Sequence, residues 1–296
     1  MAMAHSHVLL GAGAIPTRPV IRSIGLADIK TALGRGVDDF YAMPTHAIFL
    51  CIVYPIIGLV LARLAFGYST LPLLYPLISG FALVGPFASL GLYEMSRRRE
   101  LGEDVSISHA FEVLHSSSIG AITALSLLLF VIFLIWLGVA NAIYIADFGY
   151  APPLSIEQFM RDVLTTPAGW NLIIVGNGVG LLFAIAVLAI GAFSFPLLVD
   201  RDVGAAVALS TSVRAVLKNP GTMAAWGLIV AVLLLIGSIP LFLGLTVVMP
   251  ILGHATWHLY RLTIDAESGQ RPEARPRPSG RRYAADFPSS LFPWGR

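Results

Sequence analysis

His254 and His258 stand four residues apart in GHATWHLYR, a spacing that places two imidazoles on one face of a helix. Two such rings can ligate a metal or the edge of a heme, which makes them the weak metal candidates of this chain. A closed site needs further ligands, and neither a cysteine nor another deep histidine accompanies them. Their neighbours Trp257, Tyr260 and Arg261 fit the aromatic and basic belt of a membrane surface, so anchoring or helix packing is the expected role.

The other polar candidates also sit on apolar segments. Glu94, in LYEMSRRRE, precedes three arginines beginning at Arg97, and an interfacial ion pair is expected. A gate or a proton-accepting carboxylate is the alternative. Asn177 lies deeper between Gly176 and Gly178, where it can bond between helices or line a solute path. Arg261 closes the last apolar run as Arg97 closes an earlier one. The glycines at 176, 178 and 180 form no nucleotide loop, because they lie inside an apolar span with no strand before them. No serine, cysteine or aspartate has a recognisable nucleophile setting. The expectation is a non-enzymatic protein with no cofactor and no nucleic-acid partner.

The elements that carry these residues belong in lipid. The chain has 296 residues, 56% of them apolar and 12% charged, with a mean hydropathy of +0.80. That composition excludes an ordinary soluble domain. Cys51 is the single cysteine, so there is neither a disulfide framework nor a zinc pattern. The first residues lack the basic region and long apolar core of a signal peptide, so they are expected to be retained.

From Pro220 to Tyr260 no residue carries a formal charge. A single helix of that length would reach roughly 60 Å, about twice the hydrocarbon thickness of a bilayer. The stretch must therefore cross twice, folding at Gly237-Ser238-Ile239-Pro240. Four earlier apolar runs, approximately 46–66, 71–95, 119–145 and 170–199, bring the expected spans to six. A short helix at 156–164 is expected in the longest outward loop.

Basic residues orient the spans. Of 19 lysines and arginines, only Arg63 and Arg161 fall on the outward side, leaving 17 on the other. Both termini are expected in the cytoplasm and the protein in a bacterial inner membrane. Positions 1–44 form an N-terminal segment, 45–264 the membrane domain, and 265–296 a Pro/Arg-rich tail expected to be extended.

The hairpins also repeat. Pro76, Pro86, Tyr93 and Arg97 share their spacing with Pro240, Pro250, Trp257 and Arg261. A second offset superposes two amphipathic patterns, Ile107, Phe111, Leu114 and Leu209, Val213, Val216, and a weaker one occurs at Leu26, Ile29, Leu33. The fold class expected is all-α: a polytopic bundle of six transmembrane helices arranged as three parallel hairpins. An interfacial amphipathic helix precedes each hairpin. Asn219-Pro220 supplies a capping residue and a first-turn proline for the fifth span.

The strings GHATWHLYR, SVRAVLKNPG and FPLLVDRDV resemble a bacterial family of uncharacterised six-span integral membrane proteins, over about residues 20–265. Relatives are sometimes labelled subunit I of cytochrome c oxidase, which implies an association with respiratory complexes. An oxidase core would look for several deep histidines in a much larger bundle, whereas here only His46, His254 and His258 approach the membrane. The function expected is an accessory or scaffold subunit of a larger membrane complex, with the lipid bilayer and other membrane-protein subunits as partners. A small-solute transporter built from parallel hairpins is the alternative.

Overall fold

The computed structural model describes residues 19–44 and 89–265, with a scatter of positions between 48 and 77. The first two expected spans, at 46–66 and 71–95, lie largely outside the described residues, as does the tail beyond Asp265. The rest is helical: α1 (Leu26–Ala42), α2 (Leu90–Glu100), α3 (Ile107–Ala110), α4 (Ile119–Phe148), α5 (Ile156–Thr165), α6 (Pro167–Asp200), α7 (Ala205–Lys218), α8 (Pro220–Ser238) and α9 (Leu245–Thr263).

Among the described residues three helices, α4, α6 and α8, are long and apolar enough to cross a membrane. In their most apolar stretches only 22%, 6% and 17% of residues are buried within the protein, so their apolar side chains face outward. Leu127, Phe130 and Ile135 on α4, Leu181 and Leu182 on α6, and Leu228 and Leu235 on α8 are all exposed. Water would not tolerate that much unscreened apolar surface, and a bilayer solvates it.

The fourth long helix, α9, behaves differently. It was expected as the sixth span, yet from Leu252 to Tyr260 nearly every residue is buried, including His254, Trp257 and His258. Its hydropathy is diluted by the same polar and aromatic residues, and it packs inside the molecule against α1, α2, α6 and α8. Arrangement as six spans in three hairpins therefore remains an expectation, while the all-α membrane class stands.

The α8–α9 reversal falls where the sequence placed it. α8 ends at Ser238, and the chain turns through Leu241 and Phe242 in left-handed conformation. Gly237 and Gly244 allow the close crossing: a Cβ on Gly244 would lie 2.7 Å from the Gly237 carbonyl oxygen.

At 1.5 Å per residue, α6 is about 51 Å long, well beyond a hydrocarbon core. Its C-terminal residues 191–198 are buried by protein rather than exposed to lipid. There α7 lies against it, and the Ser212 hydroxyl enters the α6 backbone ladder. Ser212 Oγ accepts from Phe193 N at 3.1 Å and donates to the Ala189 carbonyl at 2.8 Å. These are the two groups that an unbroken helix would join to each other. Pro196 removes a donor one turn later, so α6 is opened where α7 packs on it.

The amphipathic segments are only partly as expected. α1 and α7 are continuous helices packed on α9 and α6, but the pattern at 107–114 breaks into α3 and a 3-10 turn at Glu112–His115. Phe111 and Leu114 point outward. Asn219 precedes α8, with Pro220 in its first turn, but its side chain does not cap that helix. It accepts from Ile24 N at 2.9 Å and donates to the Arg22 carbonyl at 3.2 Å. The N-terminal segment is thereby tied down. It also pairs antiparallel with the end of α9 through an Ile21–Ile264 bridge, with Arg22 N donating to the Thr263 carbonyl.

Candidate functional site

Buried polar side chains gather at one end of the bundle, where α1, α2, the C-terminal half of α9 and the end of α6 meet. α1 reaches α9 because Gly36 has no side chain: a Cβ there would lie 2.7 Å from Ala255 N and 2.8 Å from the Ile251 carbonyl oxygen. One turn further on, that contact delivers Asp39, 3% exposed, between α2 and α9.

Four side chains converge on the Asp39 carboxylate. Ser96 Oγ donates to Oδ2 at 2.6 Å, His258 Nε2 meets the same oxygen at 2.9 Å, and Arg99 pairs with Oδ1. His254 joins through Ser96, its Nδ1 lying 2.7 Å from the hydroxyl. Proton counting assigns the tautomers. Ser96 has one proton and gives it to Asp39, so His254 must carry its own on Nδ1, and His258 must carry one on Nε2. His254 Nε2 is then a lone pair, fully buried and without a hydrogen-bond partner among the described residues. The Leu92 backbone carbonyl is the further polar group that bears on this ring.

Burial by itself would raise the Asp39 pKa. The hydrogen bonds from His258 and Ser96, with the charges of His258 and His254, outweigh it and hold the carboxyl below its ordinary value of 3.8. Asp39 is thus a carboxylate at neutral pH, and the energy of its contacts is that of a paired buried charge.

A second polar group adjoins the first. Tyr260 donates to Asp200 at 2.8 Å, Arg261 pairs with Glu100 at 3.0 Å, and the Trp257 indole donates to Glu100 at 3.1 Å. Arg201 is 1% exposed and donates to the Asp265 carbonyl at 2.8 Å. These contacts join α2, α6 and α9 with Asp265, just beyond the end of α9.

The sequence candidates are therefore distributed as follows. His254 and His258 share the Asp39 network inside the protein rather than lying in an interfacial belt. Glu94 is buried and accepts from Arg97 Nε and Arg97 NH2, both at 2.8 Å, and from Arg98 at 2.9 Å, the ion pair expected of it. Arg261 binds carboxylates on two other helices. Asn177 joins none of them: it is exposed on α6 and its Nδ2 donates to the Ile173 carbonyl at 2.7 Å. Tyr93 and Trp257, matched in the repeat as interfacial aromatics, are 2% and 1% exposed and belong to the core.

Sequence reasoning missed Asp39, Ser96, Arg99, Glu100, Asp200 and Arg201. The available signal was the series Ile29, Ala32, Gly36, Asp39, which marks one face of α1 better than Leu26, Ile29, Leu33 does. Among the described residues no group of three His, Cys, Asp or Glu side chains is placed to hold a metal ion. The network can hold helices together and can hold a proton. Ser96 is not poised as a nucleophile, because its proton goes to Asp39 rather than to the imidazole.

Residues 73–200 match the model of a family described as a predicted integral membrane protein (DUF2189). Over that stretch, fewer than half of the 296 residues, the match agrees with the resemblance carried by the sequence, and with the apolar helices α4, α6 and α8 it supports an integral membrane protein in contact with lipid. The match includes Ser96, Arg99 and Asp200 but neither Asp39 nor the two histidines. Nothing matches among curated proteins or among solved structures.

Proposed function

We propose that this protein is a non-enzymatic accessory or scaffold subunit of a larger membrane complex. We place it in a bacterial inner membrane with both chain ends in the cytoplasm. The observation that carries the reading is how the long helices use their polar groups. Ser126 donates to the Ile122 carbonyl at 2.7 Å, Ser194 to Ile190 at 2.5 Å and Ser238 to Leu234 at 2.8 Å, so these hydroxyls turn back onto their own helices, while the Trp136 indole on α4 donates to the Pro76 carbonyl at 3.0 Å and ties two segments together. A solute carrier instead needs polar groups converging near the bilayer midplane. The buried charges lie at one end and are consumed in joining helices, which favours a rigid body offering lateral surface to neighbours.

Orientation follows from charge. The polar end carries Arg97, Arg98, Arg99, Arg201, Lys218 and Arg261, whereas Arg161 lies on α5 at the far end, so retention of basic residues would hold the polar end in the cytoplasm. Purification from native membranes in mild detergent, with cross-linking, is expected to return partner subunits at fixed stoichiometry. Recovery of a homogeneous monomer with no cross-linked partner would refute the scaffold reading.

A further inference from the structure

The ion pairs of the polar end leave several exposed cations unused among the described residues, Lys30, Arg35 and Arg214, and of these Arg214 lines a groove. Arg214, on the exposed face of α7, has neither an ion-pair nor a hydrogen-bond partner among the described residues. It lines an open groove of about 580 Å³ with Lys218, Leu217, Pro19, Val20 and Ile21. Arg214 and Lys218 are four apart on one helix and so project to the same side. Lys218 spends one donor on the Ile21 carbonyl at 2.6 Å, and an ammonium has two more. Asp265, whose backbone N donates to the Val20 carbonyl, is paired with Arg22 at 2.9 Å.

The groove is also apolar on its flanks and set at a definite depth. Leu217 is 71% exposed and Val20 55%, a cost in water that acyl chains would remove. α8 begins two residues after Lys218 and is 19 residues long, about 28 Å, the thickness of a hydrocarbon core. Arg214 and Lys218 therefore sit at headgroup level. We propose that this groove between α7 and the N-terminal segment binds the phosphate of an anionic phospholipid, with Arg214 and Lys218 on the headgroup and Leu217 and Val20 against the chains. The unpaired guanidinium, its basic neighbour and the apolar rim together specify that ligand. A zwitterionic lipid brings a second cation into the groove, and a free phosphate leaves the rim uncovered.

The test is native mass spectrometry of the full detergent-solubilised chain, titrated with phosphatidylglycerol or phosphatidylcholine, each with and without millimolar inorganic phosphate. Phosphatidylglycerol is expected to remain bound, phosphatidylcholine not, and inorganic phosphate to leave the adduct in place. A basic residue at a lipid surface contributes about a five-fold change in binding, so R214Q should weaken phosphatidylglycerol by that factor. R214K should retain most of it, and R161Q at the far end should change nothing. Arg214 holds no other group, so R214Q is expected to melt with the parent. Should it not, R214K and R214E compared at equal stability carry the same contrast of charge. Equal retention of both lipids, an unchanged affinity in R214Q, or displacement by inorganic phosphate would overturn the proposal.

Discussion

Replacing Asp39 tests the polar end most sharply, because three helices meet on one carboxylate. In Asp39→Ala, Ser96 and His258 each lose a charged acceptor while buried, and His254 loses the group that orders Ser96. Arg99 is partly exposed, its side chain 41% accessible, so water replaces most of what it loses. Removing one partner of a buried, hydrogen-bonded charge pair costs about 3–5 kcal/mol, and the lower end applies here because one of the donors is solvated. In Asp39→Asn the amide oxygen can still accept from Ser96 and His258, with its NH2 turned toward Arg99. That variant should lose about 1–2 kcal/mol, the difference between charged and neutral hydrogen bonds. Denaturant unfolding in mixed micelles, followed by circular dichroism, reads both. An Asp39→Ala variant as stable as the parent, or an Asp39→Asn variant less stable than Asp39→Ala, would refute the reasoning.

Acid should act through the same group: a carboxyl held below its ordinary value stabilises the fold above about pH 4, and that stability is lost as pH falls through the lowered pKa. Parent stability should therefore drop in this window by more than that of Asp39→Asn, as read by unfolding midpoints against pH. Gly36→Ala would press a methyl into the α9 backbone and should cost about 1–3 kcal/mol, with α1 becoming sensitive to protease. Ser212→Val leaves Phe193 N and the Ala189 carbonyl without their bridging hydroxyl and should cost about 1–3 kcal/mol, whereas Ser212→Ala should cost less because the smaller side chain lets the α6 ladder close.

The apolar helices were legible because a bilayer demands long runs that any composition scale detects. The expected 119–145 and 170–199 became Ile119–Phe148 and Pro167–Asp200, and the short helix expected at 156–164 is Ile156–Thr165. The polar end was not legible, because its determinants are few and distant. Asp39 and His258 lie 219 residues apart, and all that separates Asp39 from the neighbouring Asp38 in the sequence is its place on the Ile29, Ala32, Gly36 face of α1. His254 and His258 were singled out by spacing, and of the two roles expected, anchoring or helix packing, their burial against α1 and α2 agrees with packing; which helices would cover them was not legible locally. Asn219 shows the same limit at small scale, since a residue suited to cap α8 was taken by the N-terminal segment instead.

Single-cysteine labelling tests most directly whether the bundle crosses a bilayer with its polar end on one side. With Cys51 replaced by serine, cysteines would be placed at Leu101, Leu182 and Tyr150, exposed at 40%, 66% and 88%, just after α2 at the polar end, in mid-α6 and in the far loop. A membrane-impermeant maleimide added to intact cells should label position 150. Position 101 should react only after permeabilisation, and position 182 only after detergent solubilisation. Labelling of 150 and 101 from the same side, or of 182 in intact membranes, would contradict the account.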